Sequence, residues 1–237
     1  MQNSFKMTLP FDSNLIPNDV PVMNLSHATL FPQAIVPLYI YEDCYRTMLE
    51  DVLSSHRFFA LADLNIKNNS QMNKTGANNI KHIIAGLGMI RACRKNPDGT
   101  SHLILQGVSR IRIIDLSLKK PYPLAKITSI IPENLAEQPS YQAIKKTLID
   151  FIENLVQLNP KLPEDILPFL ANLDDAENVL DVAIASLCPS GLLKQSLLET
   201  LSVHKRYDYF LRFLEKEKNK ILSKKYYPNN LNDLDDV

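Results

Sequence analysis

Glycine is scarce in this chain, six residues in 237, and tryptophan is absent. So few glycines leave little material for phosphate-cradling loops. There is no G-x-x-x-x-G-K-[ST], and Gly86-Leu87-Gly88 lacks the third glycine of a G-x-G-x-x-G fingerprint. Cysteine is almost as rare: Cys44, Cys93 and Cys188 are odd in number and widely separated. They read as reduced, mostly buried thiols of a cytoplasmic protein, not as a disulfide frame. The five histidines (His27, His56, His82, His102 and His204) stand far apart, without H-E-x-x-H or Cys/His ligand spacing. Long apolar runs are missing too. The longest, Ala34 to Tyr41, contains Pro37 and falls well short of the roughly 20 residues that span a bilayer. The N-terminus has no continuous apolar stretch of signal-peptide type. Lys+Arg and Asp+Glu both number 26, so net charge argues for neither nucleic acid nor membrane as a partner.

What the chain does have is proline, fifteen residues of it, in a composition 45% hydrophobic and 22% charged. That is an ordinary globular balance able to bury a core, with stiff connections. Two halves differ in pattern. Residues 20–132 favour strands. VPVMNL (20–25) and AIVPLYIYE (34–42) read as short strands around the loop SHATLFPQ, and RFFALADL (57–64) as another. Between them the period becomes helical from Asp43, with Tyr45, Met48, Leu49, Val52 and Leu53 on one face. Glu42 and Asp43 place acidic groups at that helix N-terminus. The Asn-rich segment 65–81 is expected to be a mobile loop. NPDG (96–99) is a turn between two strand-like runs. Leu103 and Leu105 alternate with His102, Ile104 and Gln106, and YPLAKITSII (122–131) adds a further strand. Gly86, Gly88 and Gly107 inside strands predict bulges or sharp coiling.

The second half is helical. Ile144, Leu148, Phe151, Leu155 and Leu158 step by four and three. Pro163 suits a helix start, and DDAE (174–177) fits a capping box with Asp174 as N-cap and Glu177 at N3. CPSG (188–191) breaks the pattern. Ser202 then precedes a long helix with the stripe Val203, Tyr207, Phe210, Leu214 and Ile221. Its other faces are basic, with Lys205, Arg206, Arg212, Lys216, Lys218, Lys220, Lys224 and Lys225. That suits a nucleic-acid or acidic partner, but Tyr207 and Phe210 lie on the apolar stripe and leave no interleaved exposed aromatics, so a solvated face is the default. Ser190 and Lys194 have the spacing of a Ser–Lys pair, but a turn serine before a helix reads better as a helix start than as a nucleophile.

Several blocks together carry a resemblance. They are Leu30-Phe31-Pro32; Pro37-Leu38-Tyr39-Ile40-Tyr41-Glu42 with Tyr45 after it; Gly86 to Ile90; the hairpin Pro97 to Thr100; and Gly107-Val108-Ser109-Arg110-Ile111-Arg112-Ile113. LNPKLPEDIL (158–167), LDDAENVLDVAIASL (173–187) and LLETLSVHKRYDYFLRFLEKE (197–217) continue the order. In sequence order the set resembles the N-terminal domain of Lon-type ATP-dependent proteases over roughly residues 17–222.

The resemblance implies an α+β fold: a curled, mostly antiparallel, PUA-like β-sheet or partly closed barrel, followed by an α-helical bundle with a long C-terminal helix. The expected organisation is a tail (1–16), a β-rich subdomain (17–135), a helical subdomain (136–226) and an acidic tail (227–237). It also implies recognition of unfolded or degron-bearing polypeptides. The family's ATPase and protease motifs are not in this sequence, so the expectation is a non-catalytic, stand-alone binding module without metal or cofactor, either delivering substrates to a Lon-type protease or a chaperone or acting alone. An alternative is a regulatory or assembly partner of a complete ATP-dependent protease, and a less favoured one a peptidase in its own right. Sheet edges and apolar pockets bind extended segments, which makes Phe31, Leu38, Met89 and Ile90 the candidate peptide contacts. Each of the four is also a natural core residue.

Overall fold

The computed structural model describes residues 16–64, 83–130, 139–159, 162 and 165–226. The segments expected as an N-terminal tail (up to residue 15), a mobile loop (65–81) and an acidic tail (227–237), with the Pro163 helix start, lie outside the described residues. Six strands and six helices are present among those described: β1 (Asp19–Asn24), β2 (Ile35–Ile40), α1 (Asp43–Leu53), β3 (Phe58–Ala62), β4 (Ile84–Lys95), β5 (Ser101–Ser117), β6 (Leu124–Ile130), α2 (Pro139–Leu158), α3 (Ile166–Ala171), α4 (Ala176–Leu187), α5 (Gly191–Glu199) and α6 (Val203–Tyr226). They gather into two compact units. One holds the sheet and, from later in the chain, Cys188–Glu199; the other holds Asn134–Leu187 and the chain from Thr200 onward.

In the first unit the strand order is β2-β5-β4-β3-β1-β6, and β5 also pairs with β6. This extra pairing curls the sheet into a partial ring, short of a barrel. Every pairing is antiparallel except β1 with β3. The long strand β5 makes the curl possible: residues 101–106 pair with β2, and residues 110–117 pair with β6. Register shifts on β4 at Leu87/Gly88 and Ile90/Ala92, and at Ile113/Asp115 opposite β6, supply the bends that the strand glycines predict.

Each face of the sheet buries its own cluster. Val20, Val22, Phe58, Ala60, Ala85, Leu87, Ile111 and Ile113 pack together on one side. On the other, Met48, Leu49 and Val52 of α1 cover Met23, Leu30, Phe59, Leu61, Ile90, Leu103 and Leu105. Leu53, expected on the same helical face, is instead exposed.

The LFP segment is seated by two glycines. A Cβ at Gly86 would overlap the Leu30 carbonyl, and one at Gly107 the Phe31 carbonyl. Backbone hydrogen bonds from Gln33 N to Gly107 O (2.9 Å) and from Gly107 N to Ala34 O (2.8 Å) lock the segment down. Only residues without side chains permit so close a backbone approach. Helix α5 belongs to this unit as well. Gln195 Nε2 donates to Ile84 O at 3.0 Å, and Arg110 Nε donates to Leu198 O at 3.2 Å.

In the helical unit α2 buries Ile144, Leu148, Ile152 and Leu155, while Phe151, expected in that stripe, is half-buried beneath the Lys218 ammonium. Helix α4 is buried from Val179 to Ile184. Its cap is one residue later than the sequence predicts: the Asp175 carboxylate, not that of Asp174, accepts from the N–H groups of Glu177 and Asn178. The Glu177 side chain turns instead to Arg206 at 2.6 Å. Arg206, read as part of the basic face of α6, is fully buried and also faces the buried Asp181 at 3.2 Å. The guanidinium has two carboxylates beside it and donates to the Thr200 and Leu201 carbonyls, the pairing a buried charge needs, while its Nε faces Asp181 without a well-formed hydrogen bond.

Candidate functional site

A strand places alternate residues on opposite faces. In β2 this sends Val36, Leu38 and Ile40 toward the α1-covered core, and Ile35, Pro37 and Tyr39 outward. The register then aligns three strands. Pro37 pairs with Ile104 and Ile104 with Ala92; Leu38 pairs with Leu103 and Leu103 with Cys93; Tyr39 pairs with His102 and His102 with Arg94. These nine residues line one shallow depression of about 500 Å³. Tyr39 and Ile104, which line it, and Ile35 and Tyr41, which lie beside it on the same strand segment, expose large apolar or aromatic side chains. Ile35 is 48% exposed, Tyr39 49%, Tyr41 60% and Ile104 36%. Tyr39 stacks on Tyr41 at 5.9 Å and lies 4.7 Å from the His102 ring. A contiguous apolar surface of this kind, rimmed by polar groups, is the usual mark of an interaction site.

The rim is basic. Arg94 is exposed beside His102. Arg91 is exposed at the other end of the depression, its Nε donating to Gln106 Oε1 at 2.6 Å, and Gln106 Nε2 donates to Gln33 Oε1. Two of the nearby acids are already engaged: Glu50 with Lys95 at 2.8 Å and Asp43 with Arg46 at 3.0 Å. The hydrogen bond and charge of Lys95 hold the Glu50 carboxyl below its ordinary value. Beside them, hydrogen bonds from Thr100 lower the Asp98 carboxyl in the hairpin turn.

The sequence candidates divide. Leu38 and Met89 are partly exposed; Leu38 lines the depression, and Met89 pairs with Gln106 at its end. Phe31 and Ile90 are buried, at 1% and 2% exposure. The Arg110 guanidinium lies over the Phe31 ring, 5.6 Å from its centre. Sequence reasoning passed over Tyr39, Ile104 and Arg94. The signal was present in the alternation of β2 and β5, which puts large apolar residues at outward positions. The Ser190 hydroxyl accepts from Leu193 N–H and caps α5, the helix-start role read from the sequence, and burial lowers the Lys194 pKa. Among the described residues no cluster of three or more His, Cys, Asp or Glu comes together to hold a metal, and no helix is long and apolar enough to cross a membrane.

The sequence model of the family described as the ATP-dependent protease La (LON) substrate-binding domain matches residues 19–216. The chain belongs to this family. It is 29% identical over 191 residues to the Lon protease of Desulfosudis oleivorans, covering 81% of this chain and 23% of that protein. It is 25% identical over 199 residues to that of Escherichia coli strain K12, covering 84% and 25%. The chain thus spans about a quarter of the length of these Lon relatives. A solved N-terminal domain of Mycobacterium avium complex Lon protease superposes with a TM-score of 0.64 at 14% identity, covering 83% of this chain and 98% of that one. A Lon N-terminal domain protein from Xanthomonas campestris gives 0.57 at 18% identity, covering 82% and 97%. The sheet and helices described above are therefore the Lon N-domain fold.

Proposed function

We propose that this Lon-type N-domain is a non-catalytic module that captures unfolded or degron-bearing polypeptides on the outer face of β2, β5 and β4, for delivery to a Lon-type ATP-dependent protease or a chaperone. The observation that carries the reading is the exposed pair Tyr39 and Ile104 lining one depression, with exposed Ile35 and Tyr41 beside it, in a chain of a substrate-binding family. Unfolded segments differ from folded surfaces in offering several large apolar side chains along an extended backbone. A three-strand face with side chains spaced about 7 Å along each strand matches that repeat. Leu38 and Met89 contribute at the margins, and the buried Phe31 and Ile90 support the face from within. Pro37 has no N–H to offer an added strand, which favours docking on the face over pairing at the free edge of β2.

The test is site-specific photocrosslinking from position 104 and from position 118 of the chain, in the presence of denatured casein without ATP. Leu118 is exposed at 70% but lies at the far end of β5. Saturable capture from 104 alone supports the reading, and Tyr39→Ser should weaken it by about ten-fold, as for a hot-spot aromatic. Equal labelling from both positions, or none from either, overturns it.

A further inference from the structure

The depression is not uniformly apolar, and its charge is one-sided. Along β5 the apolar centre at Ile104 is flanked two residues away by His102, paired with Arg94, and on the other side by Gln106, which Arg91 contacts. Among the described residues no carboxylate is paired with Arg94, whereas Lys95 and Arg46 have their own acids. An exposed guanidinium presents five donors in a planar fork suited to a carboxylate. Two residues of extended chain span about 7 Å, the spacing from the centre of the depression to its Arg94 row.

Building on the polypeptide-binding reading above, we infer that the preferred ligand is an extended segment in which a bulky apolar residue is separated by one position from an aspartate or glutamate, the apolar side chain lying on Pro37, Ile104 and Ala92 and the carboxylate on Arg94. Arg94 is then the specificity-determining residue of the face. The apolar contact gives affinity to many unfolded chains. The cation selects among them, because a segment with lysine at that position brings two like charges together.

The experiment uses the full chain and fluorescein-labelled peptides that share one Phe and differ two positions away in Asp, Asn or Lys. Fluorescence anisotropy at low salt should give the Asp peptide about three- to five-fold tighter binding than the Asn peptide, the upper part of the range for a solvent-exposed ion pair. Arg94→Gln should abolish that preference, and Arg94→Glu should invert it toward the Lys peptide. A thermal melt checks that these surface variants stay folded. Equal affinities for Asp and Asn peptides in the unmodified chain overturn the inference while leaving the polypeptide reading intact. A preference that survives in Arg94→Gln, or equally tight binding of an Asp peptide with Phe replaced by Ser, overturns it too. Binding of none of the peptides removes both the inference and the reading beneath it.

Discussion

Gly107 shows how one missing side chain positions a loop. Its Cα lies where any Cβ would overlap the Phe31 carbonyl, and its own N–H and carbonyl bracket the loop through Ala34 and Gln33. Gly107→Ala is expected to destabilise the chain by about 1–3 kcal/mol, as overpacking does, measured by urea denaturation. Asp51 illustrates the opposite case, a polar contact at the surface. It accepts from Lys120 Nζ at 2.8 Å and from the Tyr122 hydroxyl, and these two hydrogen bonds, Lys120 first, lower its pKa. A carboxylate depressed on folding stabilises above the unfolded value of about 3.9 and loses that effect as pH falls through the folded value. Urea midpoints of the unmodified chain and of Asp51→Asn should therefore differ at pH 6 and converge as pH falls below the unfolded value and through the lowered folded one. The residues that build cores were legible in the sequence, because apolar periodicity reports burial directly. The Gly107 approach was legible only as a bend. What a missing Cβ makes room for depends on a segment about seventy residues away in the chain, and no local pattern encodes that.

At the scale of elements, helix α4 was legible in type and extent, but its cap and the partner of its first acid were not. Asp174 and Asp175 are equivalent as local cap chemistry. Glu177 resolves them: drawn to the buried Arg206, it is unavailable to close a box with Asp174. Arg206 itself was misread because arginine at an edge position of an amphipathic helix is normally solvated. Asp181, fully buried one turn along α4, was the available clue, since a buried carboxylate needs a cation. Asp181→Ala should cost about 3–5 kcal/mol by leaving the guanidinium short of a partner in the interior. Joint replacement by Arg206→Met, Asp181→Leu and Glu177→Gln, which removes the guanidinium together with both of its carboxylates, should recover much of that loss. Both are read from thermal unfolding followed by circular dichroism. The candidate face was partly legible for a related reason. Strand alternation marks which residues face outward, but whether the other side is the one α1 covers emerges only once α1 is placed.

At the scale of the whole molecule, periodicity put a strand-rich half before a helical one, and that division describes most of the chain. Helix α5 is the exception. It lies amid helical sequence and joins the sheet unit, held by Gln195 on Ile84 and by Leu198, whose carbonyl receives Arg110. Nothing in the periodicity of nine helical residues says which core they enter. Leu198 is completely buried, so Leu198→Ala should cost about 2–5 kcal/mol. Hydrogen exchange should then accelerate in β4 and β5, whereas acceleration confined to α2 and α4 would contradict this placement. The ring-like pairing carries a consequence in time. Asp19 at the start of β1 meets Lys126 in β6, so the ring cannot close until the chain through β6 has been made. Pairings between distant parts of a chain are slow to form. During synthesis the edges of β1 and β5 that β6 will pair with therefore wait open, and a nascent chain of this fold is itself, for that interval, an unfolded polypeptide of the kind its finished form is proposed to bind.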